Sequence, residues 1–317
     1  MRRTLSLILA VLLLLATLSG CGSTPAQQED GKLKVVATIW PVYDWARNLT
    51  AGSDSVSLTL LLDSGVDMHS FQPTAADIIK LSACDVLLYV GGESDEWIGD
   101  ALKEAVNPEL VAVNLMEVLA DRLHTEETVE GMQHSEEHSG APEKDEHIWL
   151  SLENARRCCA AIAQTLAEKD PENAALYEKN EASYAEALSA LDGAYRDAVK
   201  SAARDTLLFA DRFPFRYLTE DYGLHYYAAF AGCEAETEAS FETLAFLAEK
   251  TKALALPCVL VIDGSDQKLG RAVVQSAGVA DCEILCLDSM QSTRSADGKS
   301  YLSVMEDNLA VIKTALN

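Results

Sequence analysis

DPENAALYEKNEASYAEALSALDGAYRDAVKSAAR, residues 170–204, is the stretch on which the fold turns. Asp170 suits an N-cap and Pro171 the first helical position, where a missing N–H and a fixed φ do no harm. Tyr177, Tyr184, Leu188, Leu191, Tyr195 and Val199 then recur at spacings of seven, four and three, which puts one apolar stripe on a helix face. About 30 residues at 1.5 Å rise span ~45 Å, longer than a helix flanking one small sheet needs. The stripe is too short for the sustained heptads of a coiled coil. Residues 171–202 therefore read as a rigid strut between two other units.

Both sides of the strut carry the same pattern. KLKVVATI, VSLTLLL, DVLLYVG and ELVAVNL precede it, and TLLFAD, LHYYAAFAG, CVLVIDG and CEILCLDS follow. These runs are apolar almost throughout, as strands buried on both faces of a parallel sheet are. Amphipathic segments such as FETLAFLAEKTKAL and YLSVMEDNLAVIKTAL lie between them. Strand–helix alternation implies α/β architecture. The expected fold is two lobes, residues 32–170 and 203–317, each a mostly parallel four-stranded sheet flanked by helices and joined by the one long helix.

The N-terminus bears on location. Arg2 and Arg3 precede an apolar run from Leu5 to Leu18, which reads as a secretory signal over residues 1–20. That run is well short of the ~20 residues of a spanning helix. LSGC looks like a bacterial lipoprotein cleavage box, making Cys21 the lipidated residue and 21–31 a polar tether. Fifty acidic against twenty-five basic residues give a formal charge of −25, which repels nucleic acid and anionic ligands and favours cations. The other seven cysteines, Cys84, Cys158, Cys159, Cys233, Cys258, Cys282 and Cys286, are odd in number and form no CxxC pattern, so no disulfide framework or structural zinc site is expected. Cys258, Cys282 and Cys286 lie in or beside strand-like runs and read as small buried hydrophobes.

In open α/β sheets ligands bind beyond the carboxyl ends of the strands. His69, beside Asp67, follows VSLTLLL, and His147 lies in DEHIWLS beyond ELVAVNL. TLLFAD ends at Asp211 and CEILCLDS reaches Asp288. Two imidazoles and two carboxylates thus come from four strand ends, two per lobe, a convergence a metal in the cleft would need. Taken singly, each also suits a surface histidine or a helix-capping aspartate.

Several motifs then resemble the substrate-binding lipoproteins of bacterial ABC importers for zinc and manganese, the cluster that includes surface adhesins. VVATIWPVYDWARNLTA is similar to the opening strand and helix, and GVDMHSFQPTAADI to the first ligand motif, with His69 the ligand. DEHIWLSLENARRCCAAIAQTL resembles the second, Asp–Pro–His–x–Trp–Leu, with His147 the ligand and Glu146 in place of proline. LDSMQS with YLSVMEDNLAVI resembles the C-terminal motif, implying Asp288 as a ligand, and the strut matches the family's long helix. The third ligand departs. The family places histidine or glutamate there, whereas FADRFPFRYLTEDYGL puts Arg212 in register. Arginine stays charged and cannot ligate a cation. Asp211, a three-ligand site open to water, and a carboxylate from elsewhere such as Glu234 remain as alternatives.

Imidazoles suit zinc and carboxylates also suit manganese, so the ligand set alone decides little. Within the segment 120–146 and on to His147, HTEETVEGMQHSEEHSGAPEKDEH holds eight acidic residues, one lysine and four histidines. It lies where zinc-specific members of the family carry such an insertion. Its charged, weakly hydrophobic sequence resists folding alone, while its imidazoles and carboxylates can gather cations near the cleft. His124, His134 and His138 are assigned to that role, against the alternative of an inert solvated loop, and His225 is read as structural. The resemblance implies a monomeric, lipid-anchored receptor on the outer face of the membrane, binding Zn2+ (alternatively Mn2+) and delivering it to an ABC permease and its ATPase. A metal-dependent hydrolase is the competing class, though no HExxH or nucleophile-elbow motif is present. An adhesin role rests on family naming more than on residues here.

Overall fold

The computed structural model describes residues 31–133, 143–232 and 238–317. The expected signal segment 1–20, Cys21, His134, His138, Cys233 and Glu234 lie outside them. Leu33–Asn317 form one unit. The first half builds β1 (Leu33–Ala37), α1 (Trp40–Leu49), β2 (Val56–Leu60), α2 (Ala75–Ser82), β3 (Val86–Tyr89), α3 (Glu96–Lys103), β4 (Val111–Asn114) and α4 (Leu115–Val118). Next come α5 (Leu152–Lys169) and the strut α6 (Ala174–Ser201). The second half builds β5 (Thr206–Phe213), α7 (Arg216–Tyr222), β6 (His225–Ala231), α8 (Phe241–Ala253), β7 (Cys258–Ile262), α9 (Lys268–Ala277), β8 (Glu283–Leu287) and α10 (Tyr301–Ala315). Each half holds one four-stranded sheet, ordered β2-β1-β3-β4 and β6-β5-β7-β8. Every strand pairing is parallel. Within each sheet all four carboxyl ends therefore open at the same edge.

Burial follows sheet position. All five residues of central β7 are buried, whereas edge strands β4 and β8 are largely half-buried or exposed. This corrects the expectation for two of three cysteines. Cys258 on β7 is buried, but Cys282 is half-buried and Cys286 is exposed, because β8 closes the edge of its sheet. Cys158 and Cys159 on α5 are fully buried, and burial pushes both thiols up.

The strut starts three residues later than its capping pattern implies. Pro171–Asn173 form a 3-10 turn, and Asp170 uses its side chain on Asn173 Nδ2 (2.8 Å) and Tyr177 OH (2.6 Å) instead of capping backbone N–H groups. The stripe itself is buried at Tyr177, Tyr184, Leu188, Leu191 and Tyr195, with Ala198 in place of Val199 at its end. It packs on α1 and α5 on one side and on α7 and α10 on the other. Asn180 Nδ2 donates to the carbonyls of Leu49 and Ala51, both at 2.9 Å. Tyr195 OH donates to the Met305 carbonyl at 2.6 Å. The helix is thus pinned to both halves.

A second tie runs through Trp149, fully buried in the turn before α5. Its indole N–H donates to the Ser289 carbonyl at 2.9 Å, and its own carbonyl accepts from Tyr301 OH at 2.6 Å. Asp63 accepts from the N–H (2.7 Å) and hydroxyl (2.6 Å) of Ser295, a further bond between halves. Trp149→Phe removes the indole N–H, strands the buried Ser289 carbonyl and leaves a small cavity. It is expected to cost about 1–3 kcal/mol of stability, read from urea denaturation.

Candidate metal centre

His69 sits in the loop after β2. Asp67 Oδ1 accepts the His69 N–H at 3.0 Å and closes a one-turn 3-10 helix, while buried Met68 anchors it below. A reciprocal Thr74–Asp77 capping box then starts α2. The His69 Nδ1 meets Ser94 Oγ, in the loop after β3, at 2.8 Å. Asp95 holds that loop by accepting the N–H groups of Val90 and Gly91, each at 3.0 Å.

His147 arrives on a segment whose neck is pinned. Thr125 and Lys144 form an antiparallel bridge, and the Asp145 N–H donates to the His124 carbonyl at 3.0 Å. Asp145 Oδ1 accepts the His147 N–H at 2.8 Å and faces its Nδ1 at 2.9 Å. A carboxylate only accepts, so the neutral ring carries its proton on Nδ1 and presents a lone pair at Nε2. The ring lies beside Trp149 and Gly232. A Cβ at residue 232 would stand 2.9 Å from His147 Cε1 and from the Phe213 carbonyl, so only glycine fits.

The two rings meet Nε2 to Nε2 at 3.0 Å. Both are deeply buried, and their electrostatics diverge. Burial, then the His147 ring, then Arg212 push His69 down to about 3, against the opposing pull of Asp67. Burial opposes charge on His147 too, but the Asp145 carboxylate on Nδ1, with Glu146 and Glu126 further off, raises it above the usual histidine value.

Glu146, standing where the motif has proline, backs the other ring. Its Oε1 accepts the Ser94 N–H at 2.9 Å, and its Oε2 lies 3.9 Å from His69 Nδ1. That Oε2 is buried without a hydrogen-bond partner, and burial raises the carboxyl's pKa against the Ser94 hydroxyl and N–H. Gly92, at φ +84°, makes room: a Cβ there would stand 2.3 Å from Glu146 Oε1.

The carboxylates expected from the second half do not join the imidazoles. β5 does not stop at Asp211 but runs to Phe213, with a register shift between Phe209 and Arg212. Asp211 Oδ1 accepts the Arg212 N–H at 2.9 Å, and its Oδ2 faces the Ile262 N–H at 3.4 Å. Arg212 reaches across to Asp67 Oδ2 at 2.7 Å. Asp288 accepts the Met290 N–H at 2.9 Å and the Lys299 ammonium at 2.6 Å. Of the four expected ligands only His69 and His147 converge. Among the described residues no three His, Cys, Asp or Glu side chains are grouped to hold a metal.

The group from the second half that does reach the pair is Gln291, whose amide lies 2.9 Å from His147 Nε2. Sequence reasoning missed it and Ser94, since nothing distinguishes either from an ordinary loop residue. His124 is half-buried, its ring centroid 5.2 Å from that of Tyr217, at the neck of the acidic segment. His225 is exposed at the start of β6.

A family profile described as "Zinc-uptake complex component A periplasmic" matches residues 35–315. The chain is 29% identical over 311 residues to the zinc-binding lipoprotein AdcA of Streptococcus pneumoniae, covering 98% of this chain and 60% of that protein. It is 28% identical to the high-affinity zinc uptake system protein ZnuA of Bacillus subtilis, covering 98% of this chain and 96% of that one. The crystal structure of the Zn(II)-bound ZnuA-like domain of S. pneumoniae AdcA superimposes with TM-score 0.70 at 26% identity, covering 90% of this chain and 99% of that one. The chain thus spans about 60% of the length of its streptococcal relatives.

The opposed shifts of the two rings give a direct test. In metal-stripped protein the His69 ring is expected to stay neutral from about pH 7 down to about pH 4, read by nitrogen chemical shifts in an NMR titration.

Proposed function

The chain belongs to the family of zinc-uptake complex A components, and we propose that it is the extracytoplasmic binding component of an ABC importer, taking zinc between its lobes and passing it to a permease and ATPase. In this reading Cys21 carries the lipid anchor on the outer face of the membrane, residues 32–170 and 203–317 are the lobes, and 171–202 the strut. His124, at the neck of the acidic segment, acts with His134 and His138 to gather cations for the site.

The observation that carries the proposal is the imidazole pair. Zinc at about 2.0–2.1 Å from each nitrogen, at a tetrahedral angle, separates two such nitrogens by roughly 3.3 Å. His69 and His147 stand at 3.0 Å, so a movement of a few tenths of an ångström admits the ion. Each Nδ1 faces a fixed oxygen, Ser94 Oγ or Asp145 Oδ1, which orients the ring as outer-shell partners of metal-bound histidines do. The groups within hydrogen-bond reach of the two Nε2 atoms, among the described residues, are each other and the Gln291 amide. A donor set led by imidazole favours zinc over manganese. A hydrolase would need a general base beside an open coordination position, and the neighbour here is an amide.

The strut limits how ions enter and leave. Because α6 is pinned to both lobes, release rests on small local motions, and a wide hinge rotation between metal-free and zinc-loaded crystals would contradict this.

Zinc at 100 times its dissociation constant should stabilise the metal-stripped protein by about 2.7 kcal/mol, a melting shift of roughly 5–10 °C. His69→Ala or His147→Ala should abolish the shift, and Asp145→Asn should weaken zinc about 10–100-fold. A larger shift with manganese would reassign the metal, and no shift with either would end the proposal. Binding needs both lone pairs, and His147 holds its proton above the usual value of 6.5. Zinc affinity should therefore begin to fall above that pH and decline steeply below it, read by chelator competition.

A further inference from the structure

The second lobe's contribution to the metal is where the expected ligands fall away, and one buried side chain stands in their place. Gln291, 7% exposed, brings its amide to 2.9 Å from His147 Nε2, the nitrogen that also faces His69 at 3.0 Å. Its other amide end lies 3.0 Å from Ser289 Oγ. Ser289 is fixed in turn: its N–H and hydroxyl both meet Asp263 Oδ1, at 2.7 and 2.6 Å, and its carbonyl holds the Trp149 indole.

The proton inventory decides which way the amide faces when metal is bound. A serine hydroxyl has one proton, and the carboxylate of Asp263 at 2.6 Å claims it over Gln291 at 3.0 Å. The amide end beside Ser289 is then best served as the NH2 group, donating to a free hydroxyl lone pair. A half-turn about the terminal bond, which keeps the same volume, achieves this and turns the carbonyl oxygen toward His147 Nε2. The lone pairs of His69 Nε2 and of the Gln291 amide oxygen then both face that of His147 Nε2, at 3.0 and 2.9 Å. Such an arrangement is repulsive by itself and is satisfied by a divalent cation.

Resting on the zinc reading above, we propose that Gln291 is the second lobe's metal ligand, bound through its amide oxygen, in place of Asp211 or Asp288. The first shell is then neutral, and its compensating charge stands one shell back in Asp145 behind His147 and Glu146 behind His69. The neighbours leave this role to Gln291: Arg212 is spent on Asp67, and Asp288 on Lys299.

Chelator competition with zinc on the metal-stripped protein and its Gln291→Leu, Gln291→Glu and Asp288→Asn variants tests this, with cobalt(II) visible spectra reporting the coordination sphere. Gln291→Leu should lose at least about tenfold in zinc affinity and change the cobalt bands, while Asp288→Asn stays within about threefold. Gln291→Glu, which keeps the oxygen and adds charge, should retain zinc and improve manganese binding relative to zinc. It also covers the case of a Leu variant that fails to fold. Wild-type affinity and spectra in Gln291→Leu, loss of zinc in Gln291→Glu, or a loss confined to Asp288→Asn would overturn the assignment while leaving zinc binding intact. No zinc binding by the unaltered protein would overturn both.

Discussion

A single carboxylate oxygen, Asp145 Oδ1, accepts the backbone N–H of His147 and faces its ring Nδ1. The backbone of Asp145 is itself anchored, its N–H on His124 and its carbonyl on the hydroxyl of Tyr217 at 2.8 Å. One short segment therefore fixes where His147 lies, which way its ring turns and which nitrogen offers a lone pair. Two residues on, Trp149 carries that order into the second lobe through the Ser289 carbonyl. Ser289 borders Gln291, so the positions of the imidazole and of the amide opposite it are set by the same turn. The buried ring keeps its orientation because Asp145 Oδ1 satisfies its Nδ1 and the Gln291 amide faces its Nε2.

Arg212 illustrates how a lost ligand can be replaced by structure. At the position where the resembled family places a metal ligand, its guanidinium crosses the cleft to Asp67, whose other oxygen caps the His69 turn. A fixed positive charge near the imidazoles disfavours protonation of His69 and also opposes a cation. The adjacent carboxylates of Asp145 and Glu146 offset that opposition from behind the rings, and the net charge of −25 offsets it at longer range. Glu146 in place of proline is the departure that makes this balance possible, since proline offers neither an acceptor for Ser94 nor a charge behind His69.

The fold was legible because its signals are periodic. Apolar runs of strand length, a 3.6-residue stripe over the strut and punctuation between them all describe local burial, which a chain encodes residue by residue. The misreadings came where neighbours decide. Asp170 is a good cap by composition but is drawn to Asn173 and Tyr177. TLLFAD ends on a residue that usually stops a strand, yet pairing with β6 carries β5 through a bulge to Phe213. Cys286 is apolar enough for a core but lies on an edge strand.

By itself, the sequence determined the two parallel sheets, the strut and the two histidines at strand ends, because hydrophobic period and the geometry of parallel sheets constrain them without reference to distant residues. Only the tertiary structure decided which side chains those histidines meet. Asp211 and Asp288 were chemically apt but are held by closer partners, while Ser94 and Gln291 carried no sequence signal and Glu146 stood out only as a departure from the motif, yet all three sit against the rings. The physical reason is range. Burial patterns are written along the chain, whereas hydrogen bonds at a cleft depend on ångström-scale positions of residues far apart in sequence, 144 positions in the case of His147 and Gln291.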